Sequence, residues 1–249
     1  MAVAERQTPY VASFDAFLRA PDAGPDWLRE IRNAAFSRFL ERGFPTTRDE
    51  EWRFTNVAPI ADTPFDRPGG LKPPAETLAA ASFARGAAAE IVVVNGRMSP
   101  ALSALGSLPA GVTVRNVRDD WQAFNGHRPG SDVPPAKAAS TVFVDLNLAF
   151  FEDGIVIDVA PKTVLRSPIH VLFVSVGGPA PAMVSPRLSV TAGEQSELSI
   201  VESYVGFGDA VTLANAVTEL RIGPGAVVNH VKIQRELPTA FHIAHTTAR

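Results

Sequence analysis

The chain has 249 residues, of which 46% are apolar, and 23 basic side chains stand against 26 acidic ones for a net charge of −3. This balance disfavours nucleic acid and acidic membrane surfaces as partners, because no basic field attracts them. The absence of cysteine excludes disulfides, thiolate metal ligands and cysteine nucleophiles. Charged residues interrupt the segment where a secretory signal needs an apolar core, and a cytoplasmic location is compatible with this.

Residues 1–85 are predicted to form an N-terminal helical region and a linker. Apolar residues recur at helical spacing over residues 10–18, which predicts a short amphipathic helix. A clearer helix follows over residues 28–39 and is predicted to end at Gly43, since glycine favours the backbone conformation that closes helices.

A third short helix is predicted over residues 46–55. Thr47 and Glu50 have the spacing of a capping box, and the acidic residues lie in what would be the first helical turn. Trp52 and Phe54 in this segment are either an exposed recognition edge or, more often for such aromatics, part of a small helical core.

Residues 86–150 predict a short mixed α/β segment. A β-branched strand over residues 91–94 runs into the tight turn Asn95-Gly96, and residues 111–114 indicate another short strand. Residues 125–137 are rich in proline and glycine and are predicted to form a long loop.

Residues 151–249 contain strand patterns with no helical period, and a turn signal recurs in them. Placing Pro161, Gly193 and Gly225 in one column gives an interval of 32 residues, twice. The strands aligned by this column are Ile155–Ala160, Arg187–Ala192 and Glu219–Pro224. Such units bury their apolar faces only by stacking. The predicted fold is therefore mainly β, a parallel, right-handed β-helix solenoid preceded by a small N-terminal helical region.

The motifs of common enzymes are missing from the sequence. No glycine-rich loop ends in lysine and a hydroxyl residue, and no Gly-x-Ser-x-Gly string is present, which argues against nucleotide hydrolysis and serine hydrolysis. The uncharged run over residues 167–186 is broken by prolines and glycines, so it predicts a buried strand with a loop and not a membrane span. We therefore expect no enzyme, and no residue is assigned as catalytic, cofactor-binding or metal-binding.

Histidines and glutamates were weighed as candidate site residues. The histidines are His127, His170, His230, His242 and His245. The last two have His-x-x-His spacing, but on a strand this odd spacing sends the rings to opposite faces, so a structural role is favoured over a metal site.

Four glutamates lie on or beside the predicted strands and leave an alternative function open. They are Glu194, Glu197, Glu202 and Glu219. Two carboxylates at suitable separation could support glycoside chemistry, so a β-helix protein that binds or cleaves carbohydrate is the alternative. The simpler interpretation is a solvated face with acidic turns.

Two blocks of sequence resemble one known family. Residues 43–55 read Gly-Phe-Pro-Thr-Thr-Arg-Asp-Glu-Glu-Trp-Arg-Phe-Thr, and this string resembles the N-terminal signature of the SufD branch of the SufB/SufD family of iron–sulfur cluster assembly proteins. The second block resembles the β-helix core of that family and comprises residues 185–193, 201–204, 215–219 and 230–234. The resemblance covers most of the chain.

The resemblance implies a non-catalytic scaffold or accessory subunit of a SufBCD-type complex. Its partners would be a SufB-like scaffold subunit and a SufC-like ATPase in the cytoplasm. No cofactor would be bound by this chain alone, since the iron–sulfur cluster is assembled with partner subunits.

The family pattern also extends past the end of this sequence. Family members have further coils and a C-terminal helical domain that docks the ATPase, so we expect that docking region to be absent here. The family's interface histidine belongs to that part, so its role is not transferred to His230, His242 or His245. An open sheet edge is expected after the last coil, and self-association as a homodimer through it is a hypothesis.

Overall fold

A computed structural model describes residues 3–20, 24–106, 108–119 and 141–249. It confirms a mainly β fold, a β-solenoid of about three turns that follows a small helical region. The helices are α1 (Val3–Arg19), α2 (Asp26–Arg42), α3 (Ala58–Asp62), α4 (Ala75–Ala81) and α5 (Thr141–Phe150), with 3₁₀ turns η1 (Glu50–Trp52) and η2 (Ala84–Gly86). None of the helices in these ranges combines the length and apolarity that crossing a membrane requires.

The strands form two sheets that face each other across the solenoid interior. They are β1 (Ala89–Val94), β2 (Arg97–Met98), β3 (Val112–Asn116), β4 (Gly154–Val159), β5 (Ile169–Val176), β6 (Ala182–Val184), β7 (Arg187–Ala192), β8 (Glu197–Phe207), β9 (Thr212–Ile222), β10 (Val227–Arg235) and β11 (Phe241–Ala248). Sheet A has the order β11-β9-β7-β4-β3, with β6 also pairing β9, and sheet B has the order β10-β8-β5-β1-β2. Strands of successive coils pair in parallel, as the solenoid prediction requires.

The corners between the sheets recur, but the predicted column of Pro161, Gly193 and Gly225 is wrong. The residues with positive φ at the three corners are Lys162 (61°), Gln195 (56°) and Gly225 (68°). A lysine and a glutamine thus adopt the left-handed backbone conformation, which glycine adopts at the lowest energetic cost. Glycine is therefore not a reliable marker of these corners. The coils are also unequal in length, which an equal 32-residue interval could not represent.

The strand alignment from that column is corrected by the observed register. Ile155 pairs with Leu188 and not with Arg187. Arg187 in turn pairs with Val217 and not with Glu219. A slip of one residue between β4 and β7 would exchange the inward and outward faces, so the observed register is the one that keeps the apolar side chains inside.

Most of the predicted local elements are present. Gly43 closes α2 with φ of 69°, and the Asn95-Gly96 turn between β1 and β2 has positive φ at both residues, 49° and 80°. The third predicted helix is wrong, because this segment holds only the 3₁₀ turn η1. The Asp49 carboxylate accepts hydrogen bonds from the backbone N–H and the hydroxyl of Thr46 at 2.7 and 3.1 Å. These bonds have the three-residue spacing of a capping box, but the backbone does not continue past η1 as an α-helix.

The apolar core has three parts. One lies between the two sheets and includes Ile91, Ile157 and Ile200. A second packs the helices against the outer face of sheet A, with many aromatic contacts, and a third lies under α4 on the outer face of sheet B. Both sheets are therefore covered from outside as well as filled inside.

The predicted division at residues 85 and 150 stays a prediction, and residues 125–137 lie outside the described ranges.

Helix α5 is joined to sheet A by buried amides. Asn147 is fully buried, and its Nδ2 donates to the carbonyl oxygens of Pro186 at 3.1 Å and Asn215 at 2.7 Å. Its Oδ1 accepts from Arg187 Nη1 at 3.1 Å. Asn215 on sheet A in turn donates through Nδ2 to the carbonyl oxygen of Phe143 on α5 at 2.9 Å. These hydrogen bonds of Asn147 and Asn215 form a seam between α5 and sheet A. Because each group is shielded from water, the seam fixes where α5 lies along the solenoid.

Replacing Asn147 with alanine is expected to lower the free energy of unfolding by about 3 kcal/mol, since two buried carbonyls and a buried guanidinium lose a partner. Urea unfolding followed by far-UV circular dichroism measures the change. Asn229→Ala is the matched control, because Asn229 is exposed on β10. Equal stability of Asn147→Ala and the control would contradict the role of the seam.

Candidate functional site

The outermost strands of the solenoid are β10 in sheet B and β11 in sheet A. Among the described residues, each pairs with a neighbour on one side only, β10 with β8 and β11 with β9. The two edges are 9 and 8 residues long. Unpaired N–H and C=O groups along such an edge are a template for another strand. The expectation of an open edge after the last coil stays a prediction.

A polar cluster occupies the solenoid interior just beneath this end. Glu202 of β8 is fully buried and has hydrogen bonds with three side chains and an ion pair with a fourth. The Tyr204 hydroxyl donates to its Oε2 at 2.6 Å, and the Thr218 hydroxyl donates to its Oε1 at 2.8 Å. His230 Nε2 lies 2.6 Å from Oε1, and Lys232 Nζ lies 3.6 Å from Oε2. Three strands from both sheets are thereby tied to one carboxylate.

The cluster shifts the ionisation of its members. Burial alone would raise the pKa of Glu202, but the hydrogen bond from His230, the charge of Lys232 and the hydroxyls of Tyr204 and Thr218 outweigh it and lower that pKa. Burial raises the pKa of the Tyr204 hydroxyl well above its ordinary value, and the neighbouring Glu202 carboxylate raises it further. Glu202 is thus held as the anion, and Tyr204 as a neutral donor.

The two histidines of the His-x-x-His pair lie on opposite faces of β11, as predicted. The ring of His242 contacts the ring of Tyr204 edge-on at 4.6 Å between centroids, on the interior side, and its Nδ1 lies 2.7 Å from Glu236 Oε2. His245 lies on the outer side near Arg187, where burial and the Arg187 charge lower its pKa. One metal ion cannot be reached by both rings.

His170 has a buried structural position on the outer face of sheet B. Its Nδ1 lies 2.7 Å from Glu90 Oε2, and its Nε2 lies 2.8 Å from Ser203 Oγ. The order acid, histidine, serine is that of a hydrolase triad, but Ser203 is fully buried, and Phe83 lies against the ring of His170. No substrate could reach the hydroxyl in this arrangement. The contacts instead fix the chain at Ser82, whose hydroxyl donates to Glu90 at 2.7 Å.

The four candidate glutamates do not form a catalytic pair. Glu194 and Glu197 are exposed, whereas Glu202 is enclosed in the interior. Glu219 lies on the outer side of sheet A and accepts from Arg187 Nη2 at 3.3 Å. Carboxylates in such different surroundings do not flank one open cleft, which glycoside hydrolysis requires.

The candidate metal ligands that the structure describes do not converge, and the aromatic residues Trp52 and Phe54 lie in different surroundings. In the described ranges, no group of three or more histidine and acidic side chains converges as a metal site would need. Trp52 packs against Phe143 in the helical core at 5.2 Å between centroids. Phe54, in contrast, is 92% exposed and only Arg53 lies over its ring. The core interpretation therefore holds for Trp52 and is wrong for Phe54. His127 lies outside the described residues.

Sequence reasoning missed the Glu202 cluster as a unit. Glu202 and His230 were each noted, but Tyr204, Thr218 and Lys232 were not connected with them. The signal that could have found the cluster is the register, because Lys232 stands directly beside Glu202 in the pairing of β10 with β8.

Comparisons with known families identify the class of protein. The model described as "SufBD protein N-terminal region" matches residues 10–171, and the model described as "SUF system FeS cluster assembly, SufBD core domain" matches residues 173–249. The chain therefore belongs to the SufBD family, and the sequence resemblance is confirmed.

Two curated relatives make the comparison more specific. An iron-sulfur cluster assembly SufBD family protein of Synechocystis sp. is 32% identical over 215 residues, which covers 81% of this chain and 46% of the relative. The iron-sulfur cluster assembly protein SufD of Escherichia coli is 24% identical over 210 residues, which covers 84% of this chain and 46% of that protein. The chain thus spans about half the length of each relative.

Glu202→Gln is expected to lower the free energy of unfolding at neutral pH by about 3 kcal/mol, since His230 and Lys232 lose a buried anionic partner. Because folding lowers the pKa of Glu202, its stabilising contribution is full above the ordinary value of 4.5 and is lost as the pH falls through the lowered pKa. The difference between the variant and the unchanged chain should therefore shrink in acid.

Urea unfolding at neutral and acid pH measures this difference. Glu197→Gln is the control, since Glu197 is an exposed glutamate at the start of the same strand. A stability difference for Glu202→Gln that is independent of pH would show that the cluster does not act through the carboxylate charge.

Proposed function

We propose that this chain is a non-catalytic scaffold subunit of a SufBCD-type complex that assembles iron–sulfur clusters. The observation that carries the proposal is the parallel β-solenoid, whose sequence matches the SufBD core model over residues 173–249. Membership of the SufBD family supports the same role, because both curated relatives are described as iron-sulfur cluster assembly proteins. The partners would be a SufB-like scaffold and a SufC-like ATPase in the cytoplasm.

In this proposal β10 and β11 are continued by a coil that also presents two strands, whether it belongs to the same protein or to a partner. A single added strand could pair with one sheet only, whereas a coil of another solenoid pairs with both and covers the interior between them. The inward side of β11 is open at Ala244 and Thr246, which are exposed although the neighbouring Ala216 is buried. A stacked coil would bury these positions.

Chemistry at the cluster would belong to the partners in this proposal. The chain has no cysteine, so thiolate ligands for iron would come from the SufB-like subunit. The imidazoles of His230 and His242 are engaged inside the solenoid. This chain then contributes a rigid surface that positions the partner.

Co-expression with the SufB-like and SufC-like proteins of the same source tests the proposal. The tagged chain should retain the SufB-like protein through affinity and size-exclusion steps. Ala244→Arg should reduce this recovery about tenfold, because a charged side chain at the open end prevents a coil from stacking. Asn229→Arg is the matched control on the exposed outer face of β10 and should leave recovery unchanged.

Three results would count against the proposal. These are failure of the unchanged chain to bind the SufB-like protein, equal binding by Ala244→Arg, and specific binding of the chain to polysaccharides. Light scattering of the chain alone addresses self-association through the same edges, and a sharp monomer at high concentration would exclude the homodimer hypothesis.

A further inference from the structure

A basic pocket lies at the far side of sheet B from β10, away from the partner edges. It has a volume of about 640 Å³ and is formed by the Pro- and Gly-rich residues 67–73, the hairpin of β1 and β2, and residues 99–102. The sequence predicted only a helical region and a linker over residues 1–85. The pocket is therefore a feature that the sequence did not indicate.

The charged side chains that line this pocket are all basic. They are Arg67, Lys72 and Arg97, in a chain whose net charge is −3. Arg67 and Arg97 share the carboxylate of Glu152, at 2.7 Å from Arg67 Nε to Oε1 and 2.6 Å from Arg97 Nε to Oε2. Arg67 and Arg97 each contact this carboxylate through Nε and Nη2, so Glu152 fixes the orientation of both guanidinium groups. Lys72 is exposed at the rim.

The walls of the pocket are held in place before any ligand arrives. Asn95, in the hairpin turn, donates through Nδ2 to the carbonyl oxygen of Gly69 at 2.9 Å. Its Oδ1 accepts from the backbone N–H of Val176 at 2.7 Å. The Pro-Gly loop is thus tied to strand β5 through one buried side chain. Such preorganisation reduces the entropy that a ligand would lose on binding.

The remaining lining is mostly apolar. Leu71 and Leu102 are 46% and 39% exposed, and Met98 lies between the two loops that carry them. An apolar wall beside fixed cations suits a ligand that has one anionic group and one apolar part. Three cations are too few for an extended polyanion, whose binding needs a long basic surface.

We propose that this pocket binds a small organic anion. Its phosphate or carboxylate group lies against Arg67, Arg97 and Lys72, and its apolar part lies against Leu71 and Leu102. Arginine pairs in a fixed orientation bind both kinds of oxyanion, so the shared chemistry is a planar or tetrahedral oxyanion on an apolar body. This site is independent of the proposed partner interface.

Isothermal titration calorimetry of the whole chain with three matched probes tests the proposal. The probes are 1-naphthyl phosphate, 1-naphthoate and the neutral 1-naphthol. We expect at least one anion to bind about tenfold or more tightly than naphthol, with an affinity that falls as salt is added. The tighter of the two anions identifies phosphate or carboxylate as the preferred group. Backbone amide NMR shifts at Gly69 and Gly70 should report the site.

Lys72→Glu is the diagnostic variant, because Lys72 is exposed and its reversal should leave the fold intact. It should weaken the anion about tenfold or more. Lys162→Glu makes the same change at an exposed corner of the solenoid and should have no effect. No binding by either anion at millimolar concentration, equal binding of naphthol, or equal effects of the two variants would overturn the proposal. The test does not use the partner proteins, so its result is separate from that of the co-expression experiment.

Discussion

Parallel pairing between successive coils is the constraint on which the rest of this structure depends. A single coil of two short strands cannot bury its inner face, so each coil is stable only when neighbours continue both sheets. The ladders from β4 to β11 satisfy this requirement along the solenoid. The same requirement is met for β10 by its ladder with β8 and for β11 by its ladder with β9.

The outer faces of the sheets impose a second requirement, because they too are apolar and must be covered. Helices α2 and α5 cover sheet A, and α4 covers part of sheet B. Apolar packing alone would let these helices slide, whereas buried hydrogen bonds have a defined geometry. Asn147 supplies such bonds on sheet A, and the chain from Glu90 through His170 to Ser203 supplies them on sheet B. The triad-like order of the latter is therefore a consequence of anchoring a loop.

Sequence reasoning predicted the features that depend on local patterns and missed those that depend on register. The strand patterns, the helix ending at Gly43 and the Asn95-Gly96 turn follow from neighbouring residues, and all are present. The corner column was wrong because Lys162 and Gln195 adopt positive φ at the corners. The local propensity of lysine and glutamine does not indicate this conformation. The third helix was wrong because the capping contacts between Thr46 and Asp49 are followed only by the 3₁₀ turn Glu50–Trp52.

The sites show the same limit of sequence reasoning. The opposite faces of His242 and His245 were predicted from the period of a strand, which is a local rule. The convergence of Glu202, Thr218 and His230 was not predictable, since it joins three strands across two sheets. The basic pocket was missed for a similar reason, because Arg67 and Arg97 are joined through Glu152, which is 85 and 55 residues away from them in the sequence.

The polarity of the solenoid interior changes along its axis, and this change bears on partner choice. The first coil is filled by aliphatic residues such as Ile155, Ile157 and Val171, whereas Glu202 lies on β8 of the next coil and His230 on β10, the last strand of the same sheet. Buried ion pairs add little stability compared with apolar packing, but they penalise any arrangement that leaves one member unpaired. A coil that stacks on this end must therefore match polar groups at defined positions, because separating Lys232 from Glu202 or His242 from Glu236 would leave a buried group without its partner. The polar end would thus select among otherwise similar strand edges, because a mismatched coil loses more by desolvating these groups than it gains from main-chain pairing.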